Sequence, residues 1–74
     1  MKLSNIEELI ECDGQINVGY TNPLGCVAVA NDEHNTLAML KRRPEESFMD
    51  LLKRLDQAIE RAIEHEEYID EINS

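Results

Sequence analysis

The chain has 74 residues, 16 acidic against 7 basic side chains for a formal net charge of -9, and 4% aromatics with no Trp. A chain this short forms one domain at most and buries little core, which excludes a dinucleotide-binding fold, a barrel and a two-lobed enzyme. The acidity counts against direct binding of nucleic acid, which needs clustered Lys and Arg; a hydrophobic content of 42% argues for a folded chain rather than a disordered one.

The opening Met1-Lys2-Leu3-Ser4-Asn5 has no apolar stretch of the signal-peptide kind, and Glu7 and Glu8 follow directly. The longest apolar run, residues 26–30, has strand length and falls far short of a membrane span. The expectation is a cytoplasmic protein with no membrane partner. Ser4-Asn5-Ile6-Glu7 fits a capping box, in which Ser4 and Glu7 satisfy each other's amides. Ile6, Leu9 and Ile10 then share one helical face, and Gly14 can stop the helix. This predicts a short helix over 5–12, against a competing strand through 9–12.

Residues 15–20 alternate, with Ile16, Val18 and Tyr20 on one side and Gln15, Asn17 and Gly19 on the other, as in a half-buried strand. Thr21-Asn22-Pro23-Leu24-Gly25 is turn chemistry. Residues 26–30 are apolar on both faces and β-branched at Val27 and Val29, which predicts the most buried strand. A polar turn over 31–35 precedes a third strand over 36–41, although Leu37, Ala38, Met39 and Leu40 would also suit a helix. Short turns make neighbours antiparallel, so the three strands form a meander.

Lys41-Arg42-Arg43 closes that strand. Pro44 suits a first helical position, Glu45 and Glu46 favour the helix dipole, and no Gly or Pro follows. One long helix over 44–72 is predicted, continuous or with one break. Phe48, Leu51, Leu55, Ala58, Ala62, His65, Ile69 and Ile72 form a heptad seam, widened by Leu52, Ile59 and Ile63 in the first half only. Such a helix would be about 43 Å long, whereas a domain of this size is about 30 Å across. Its end must overhang or fold back. The overhang predicts a homodimer with an interface at Ala62, His65, Ile69 and Ile72; the alternative is that Tyr68, Ile69 and Ile72 pack on the N-terminal helix of the same chain, or fray. The expected fold is thus α+β: a short N-terminal helix, a three-stranded antiparallel β-meander and a long C-terminal amphipathic helix on one sheet face. It forms one domain over 1–74, with the stretch from about 64 onward reaching into a dimer contact.

Signals for chemistry are weak. Cys12 and Cys26 make no disulfide framework, and with His34 and His65 they lack zinc-site spacing. Pairing Cys26 or Asp32 with His34 would be needed for nucleophilic catalysis, and His65 at a seam position could act as a pH switch. Packing and turn roles explain these residues more simply. Gly14, Gly19 and Gly25 form no phosphate-binding loop, and the acids form no calcium loop. No catalytic residue, cofactor, metal or small-molecule substrate is expected. The basic cluster at 41–43 is read as solvated or paired with acids. Glu60, Glu64, Glu67 and Glu71 line the outer side of the predicted helix, with adjacent charges about 5–6 Å apart along its axis. Such a row either keeps the chain in solution or imitates nucleic-acid phosphates, as phage anti-defence proteins do.

Gly19-Tyr20-Thr21-Asn22-Pro23-Leu24-Gly25-Cys26, followed by Glu45-Glu46 at a helix start, resembles HicB-like antitoxins. Those combine a small sheet with an amphipathic helix and neutralise an RNase toxin. Here the turn is shorter and an extra strand stands before the helix. The expected function is a non-catalytic interaction module that partners itself or another protein. The second reading, which the resemblance adds to, is an acidic inhibitor of a nucleic-acid-binding protein acting through the Glu row.

Overall fold

In the computed structural model, which describes residues 3–73, the order is α1 (Ser4–Glu11), β1 (Gln15–Thr21), β2 (Gly25–Asn31), β3 (Thr36–Lys41), α2 (Phe48–His65) and β4 (Ile69–Asp70). The fold is the expected α+β, with a fourth strand added. The first three strands form the predicted antiparallel meander, pairing Val18 with Ala28 and Ala28 with Leu40. One irregularity lies between Ala30 and Asn31. Both helices pack on one face of the sheet, against Ala28, Ala30, Ala38 and Leu40. Small residues at 28, 30 and 38 let α2 approach closely, and Leu51, Leu55 and Ile59 fill the contact with no exposed surface. Burying each of these large side chains contributes about 1.5–3 kcal/mol.

Helix α1 forms where expected but is capped differently. Ser4 is its first helical residue and makes no side-chain cap. The carboxylate of Asp56, on α2, instead accepts from the Ile6 amide at 2.9 Å and from Asn5 Nδ2 at 3.0 Å. An anion already fixed at the positive end of the helix leaves Ser4 nothing to do there. At the other end Asp13 takes the left-handed conformation (φ 68). Gly14 is needed for space: a Cβ there would stand 2.4 Å from Leu9 Cδ1.

The long helix is the main correction. It starts at Phe48 rather than Pro44, because Ser47 accepts from the Asp50 amide at 3.0 Å and so caps the first turn. It ends at His65, where Glu66 turns left-handed (φ 56) and the amides of Glu66 and Glu67 both bond to Arg61 O. Eighteen residues make about 27 Å of helix, which fits a body of 30 × 28 × 20 Å. The chain then folds back instead of overhanging. Ile69 and Asp70 pair in parallel with Ala38 and Met39, along the outer edge of β3. Ile69 packs on the chain's own core through that strand, not through α1.

Arg54 holds this return. Its guanidinium takes both oxygens of Glu46 (2.6 and 3.0 Å), Glu71 Oε2 (2.8 Å) and Lys41 O (3.0 Å). Glu71 also accepts from the Lys41 amide at 3.0 Å, and its own amide bonds Met39 O at 2.7 Å. The Glu71 side chain therefore extends the β3 edge where β4 stops. Among the described residues no helix is long and apolar enough to cross a membrane.

Candidate functional site

The two flanks of α2 carry different chemistry. Arg54, Gln57 and Arg61 recur at helical spacing on the flank beside β4. Asp56, Glu60, Ile63 and Glu64 recur on the flank beside α1. Between that second flank, α1 and the β2–β3 turn runs a groove of about 500 Å³. Leu9 and Leu37, both buried in the core, reach its floor, together with Cys12 and the exposed Ile63. Its rim is acidic: Glu8 from α1, Asp32 and Glu33 from the turn, and Glu60 and Glu64 from α2. No Lys or Arg lines it among the described residues.

The rim is held in place by local geometry. Asp56 fixes α1 against α2, and Asn5 Nδ2 reaches on to Glu60 at 3.4 Å. In the turn, Asp32 Oδ1 accepts from the amides of His34 (2.8 Å) and Asn35 (2.6 Å), while the Asp32 amide bonds Asn35 O. That is the Asx-turn chemistry expected of Asp in a short connection. The Asn35 and His34 amides hold the Asp32 carboxyl below its usual range, so the charge at this point of the rim is permanent near neutrality. His34 Nε2 stands 4.0 Å from Glu33 in an exposed pair, which contributes little.

The opposite flank holds its acids neutralised. The Arg54 hydrogen bond is the largest cause holding the Glu46 carboxyl at about 2, against 4.5 ordinarily. Burial pushes Glu71 up, but the Lys41 amide and Arg54 outweigh it and the net shift is downward. Arg54 itself is raised, first by Glu46. Arg43 sits 3.8 Å from Glu71, and Arg42 Nε donates to Glu46 O at 2.9 Å. Of the basic cluster at 41–43, Arg43 thus pairs with a carboxylate of the same chain, while Arg42 binds a main-chain carbonyl.

The expected sites are redistributed. Of the four residues expected at a dimer interface, Ala62 is 2% exposed inside the chain's own core, Ile69 lies on β4 against that core, Ile72 is half-buried beyond it and only His65 is exposed. These residues do not share a helix face. The Glu row is also divided. Glu60 and Glu64 stay together on α2, Glu67 follows the helix end 3.8 Å from Arg61, and Glu71 belongs to the Arg54 cluster. Cys26 is the second residue of β2 and His34 lies past its end, with roughly 17 Å of strand from Cys26 to Asn31 alone, so these two are not brought together, whereas Asp32 meets His34 through the His34 amide. Among the described residues no three His, Cys, Asp or Glu side chains are grouped to hold a metal ion.

Sequence reasoning missed Glu8, Asp32, Glu33 and Ile63 as one surface, because three separate elements contribute them. The partial signal was Ile63, an apolar side chain at the end of the broad apolar face with Glu60 and Glu64 beside it. No protein-family model matches the chain, and neither a curated protein nor a solved structure matches it.

Proposed function

We propose that the chain is a non-catalytic interaction module whose acidic groove receives a cationic amphipathic segment of a partner protein. One observation carries this reading: an apolar floor of Leu9, Leu37, Cys12 and Ile63 is ringed by five carboxylates, with no Lys or Arg and one histidine, His34, in its lining among the described residues. An apolar stripe on the partner would cover the floor, and Lys or Arg beside that stripe would meet the rim, the arrangement of a helix laid in a groove. Charge complementarity of this kind speeds encounter and selects the partner more than it adds affinity.

A direct test uses a Leu-and-Lys amphipathic helical peptide titrated against the protein by fluorescence anisotropy. Binding is expected to weaken as salt is raised and to be lost in the double variant Glu60→Lys, Glu64→Lys. Equal binding by the double variant would remove the groove from the account.

The second reading, an inhibitor of a nucleic-acid-binding protein with an antitoxin-like role, is a special case with the same chemistry. Proteins of that kind carry the clustered basic residues that the groove would recognise. Glu60 and Glu64, adjacent on α2 at the rim, are the part of the Glu row that supports it. The check is competition: the protein should release nucleic acid from such a target, and the same double variant should not.

A further inference from the structure

We propose that the free edge of β1 pairs with the same edge of a second copy of the chain, joining two four-stranded sheets into one of eight strands. This contact is separate from the groove, which no β1 residue lines.

The ladder decides which groups of β1 face outward. The sheet order is β1-β2-β3-β4, so β1 has a neighbour on one side only. The Arg42 amide donates to Cys26 O at 2.9 Å, one pair beyond Val27 and Lys41, so the Cys26 backbone points toward β3. Backbone direction alternates along an antiparallel strand. Val27 and Val29 therefore point toward β1, and their partners Gly19 and Asn17 point back. Ile16, Val18 and Tyr20 are left with N–H and C=O directed out of the sheet. Among the described residues these outward groups have no hydrogen-bond partner.

Most proteins blunt such an edge with Lys, Pro, a bulge or a very short strand. The far edge of this sheet is managed in that spirit, covered by β4 and the Glu71 carboxylate. β1 has none of these devices: it is seven residues long, uncharged and free of Pro, and its register with β2 is unbroken. In a chain of net charge -9, a contact between copies must avoid acids, and this strand brings none to it.

The strand is also self-complementary. A two-fold axis through Val18 sets Val18 opposite Val18 of the second copy, Ile16 opposite Tyr20, and Tyr20 opposite Ile16. All three outward residues of each strand then meet outward residues of the other. A slip of two residues either way leaves one of the three without such a partner. Two side-chain facts fit this register. Tyr20 is 78% exposed within its own chain, and in the pair it lies across from an isoleucine, an aromatic to β-branched contact favoured between strands. Gly19 has no positive φ and open space where a Cβ would stand, so its own chain does not require glycine there. Glycine inside a strand often marks a bulge, a tight bend or a close approach by a ligand or another backbone, and the unbroken register with β2 removes the bulge.

The experiment is sedimentation equilibrium of the full chain with amide exchange measured by NMR at the same concentrations. The mass is expected to rise from 8.5 kDa toward twice that value with concentration. Over that rise the amides of Ile16, Val18 and Tyr20 slow, while those of Asn17 and Gly19, already bonded to β2, do not change. Val18→Pro, which removes an outward donor at the axis, returns the mass to 8.5 kDa. Should that variant fail to fold, Tyr20→Lys, at an exposed position, serves in its place. A mass that stays at 8.5 kDa into the millimolar range overturns the proposal. So does a doubled mass with the Ile16, Val18 and Tyr20 amides still exchanging fast, because the copies then meet elsewhere.

Discussion

The flank of α2 beside β4 and the flank beside α1 are both rich in charge, yet they use it in opposite ways. Beside β4, Glu46 and Glu71 are mostly shielded from water and share Arg54, so their charges hold the chain together. Beside α1, Asp56 is the only acid drawn inside, where two hydrogen bonds from α1 occupy it. Glu60 and Glu64 stay exposed at the groove rim, which no Lys or Arg lines among the described residues. The contrast teaches that acid count alone says nothing about role. Burial and a hydrogen-bonded partner turn a carboxylate into a structural group; exposure around an apolar floor leaves it for a partner.

The sharpest way to break this contrast is Arg54→Met. It leaves Glu46 and Glu71 without their shared cation and frees the return of the chain to β4. A loss of about 3 kcal/mol is expected, as when one member of a shielded ion pair is removed. Urea unfolding followed by far-UV circular dichroism measures it; a loss below 1 kcal/mol would reduce the cluster to a surface pair. Next comes Asp56→Ala, which strips α1 of its cap and leaves the Ile6 amide unpaired in a buried place. The cost expected is about 1–2 kcal/mol. Asp56→Asn, which keeps an acceptor, should cost less, and equal losses would mean that packing rather than capping is at stake.

Acid separates the flanks in a third way. Glu46 has its carboxyl lowered in the folded state, to about 2 from 4.5. Its contribution is therefore complete above the unfolded value and is lost as pH falls from about 4.5 through about 2. Glu71 is shifted in the same direction. Thermal unfolding between pH 5 and pH 2 is expected to show a steep loss of stability that flattens in Glu46→Gln. An unchanged slope in that variant would assign the acid sensitivity elsewhere. The smallest effect on stability belongs to the double variant Glu60→Gln, Glu64→Gln, within about 0.5 kcal/mol of the parent because these side chains are exposed. Its binding to a cationic amphipathic peptide should nevertheless fall, and a large change in stability instead would place these acids in the fold rather than the site.

Local pattern carried much of the fold. The period-two alternation at Ile16, Val18 and Tyr20, the turn residues at 21–25 and the apolar run at 26–30 gave the meander, because strand periodicity and turn chemistry are near-neighbour effects. The helix seam through Leu51, Leu55, Ala58 and Ala62 gave the face that α2 buries. The same pattern then misled, because heptad spacing at Ile69 and Ile72 persists after the helix has ended. Nothing in residues 64–67 stops a helix by propensity; Glu66 takes a left-handed conformation that glycine usually supplies. Its cost is offset by the bonds of the Glu66 and Glu67 amides to Arg61 O and by what lies further along, Ile69 on the core and Glu71 on Arg54. The groove was legible in fragments, as Glu60 and Glu64 around Ile63, but its other wall comes from Glu8 and from Asp32 and Glu33, far away in sequence.

The sequence by itself determined an α+β chain, the order and pairing of three strands, the buried face of α2 and a surplus of acid. That a helix of about 43 Å cannot fit a body of about 30 Å also followed from length and helical rise alone. Tertiary structure decided how that conflict resolves: the helix stops at His65 and the tail completes one sheet edge, while β1 is left as the open one. It also decided which acids are structural and which are free. Those outcomes depend on Arg54 meeting Glu46 and Glu71, and on Asp56 meeting α1. Contacts between residues distant in the chain leave no periodic trace in the sequence, and the burial that gives them their strength exists only once the chain has folded.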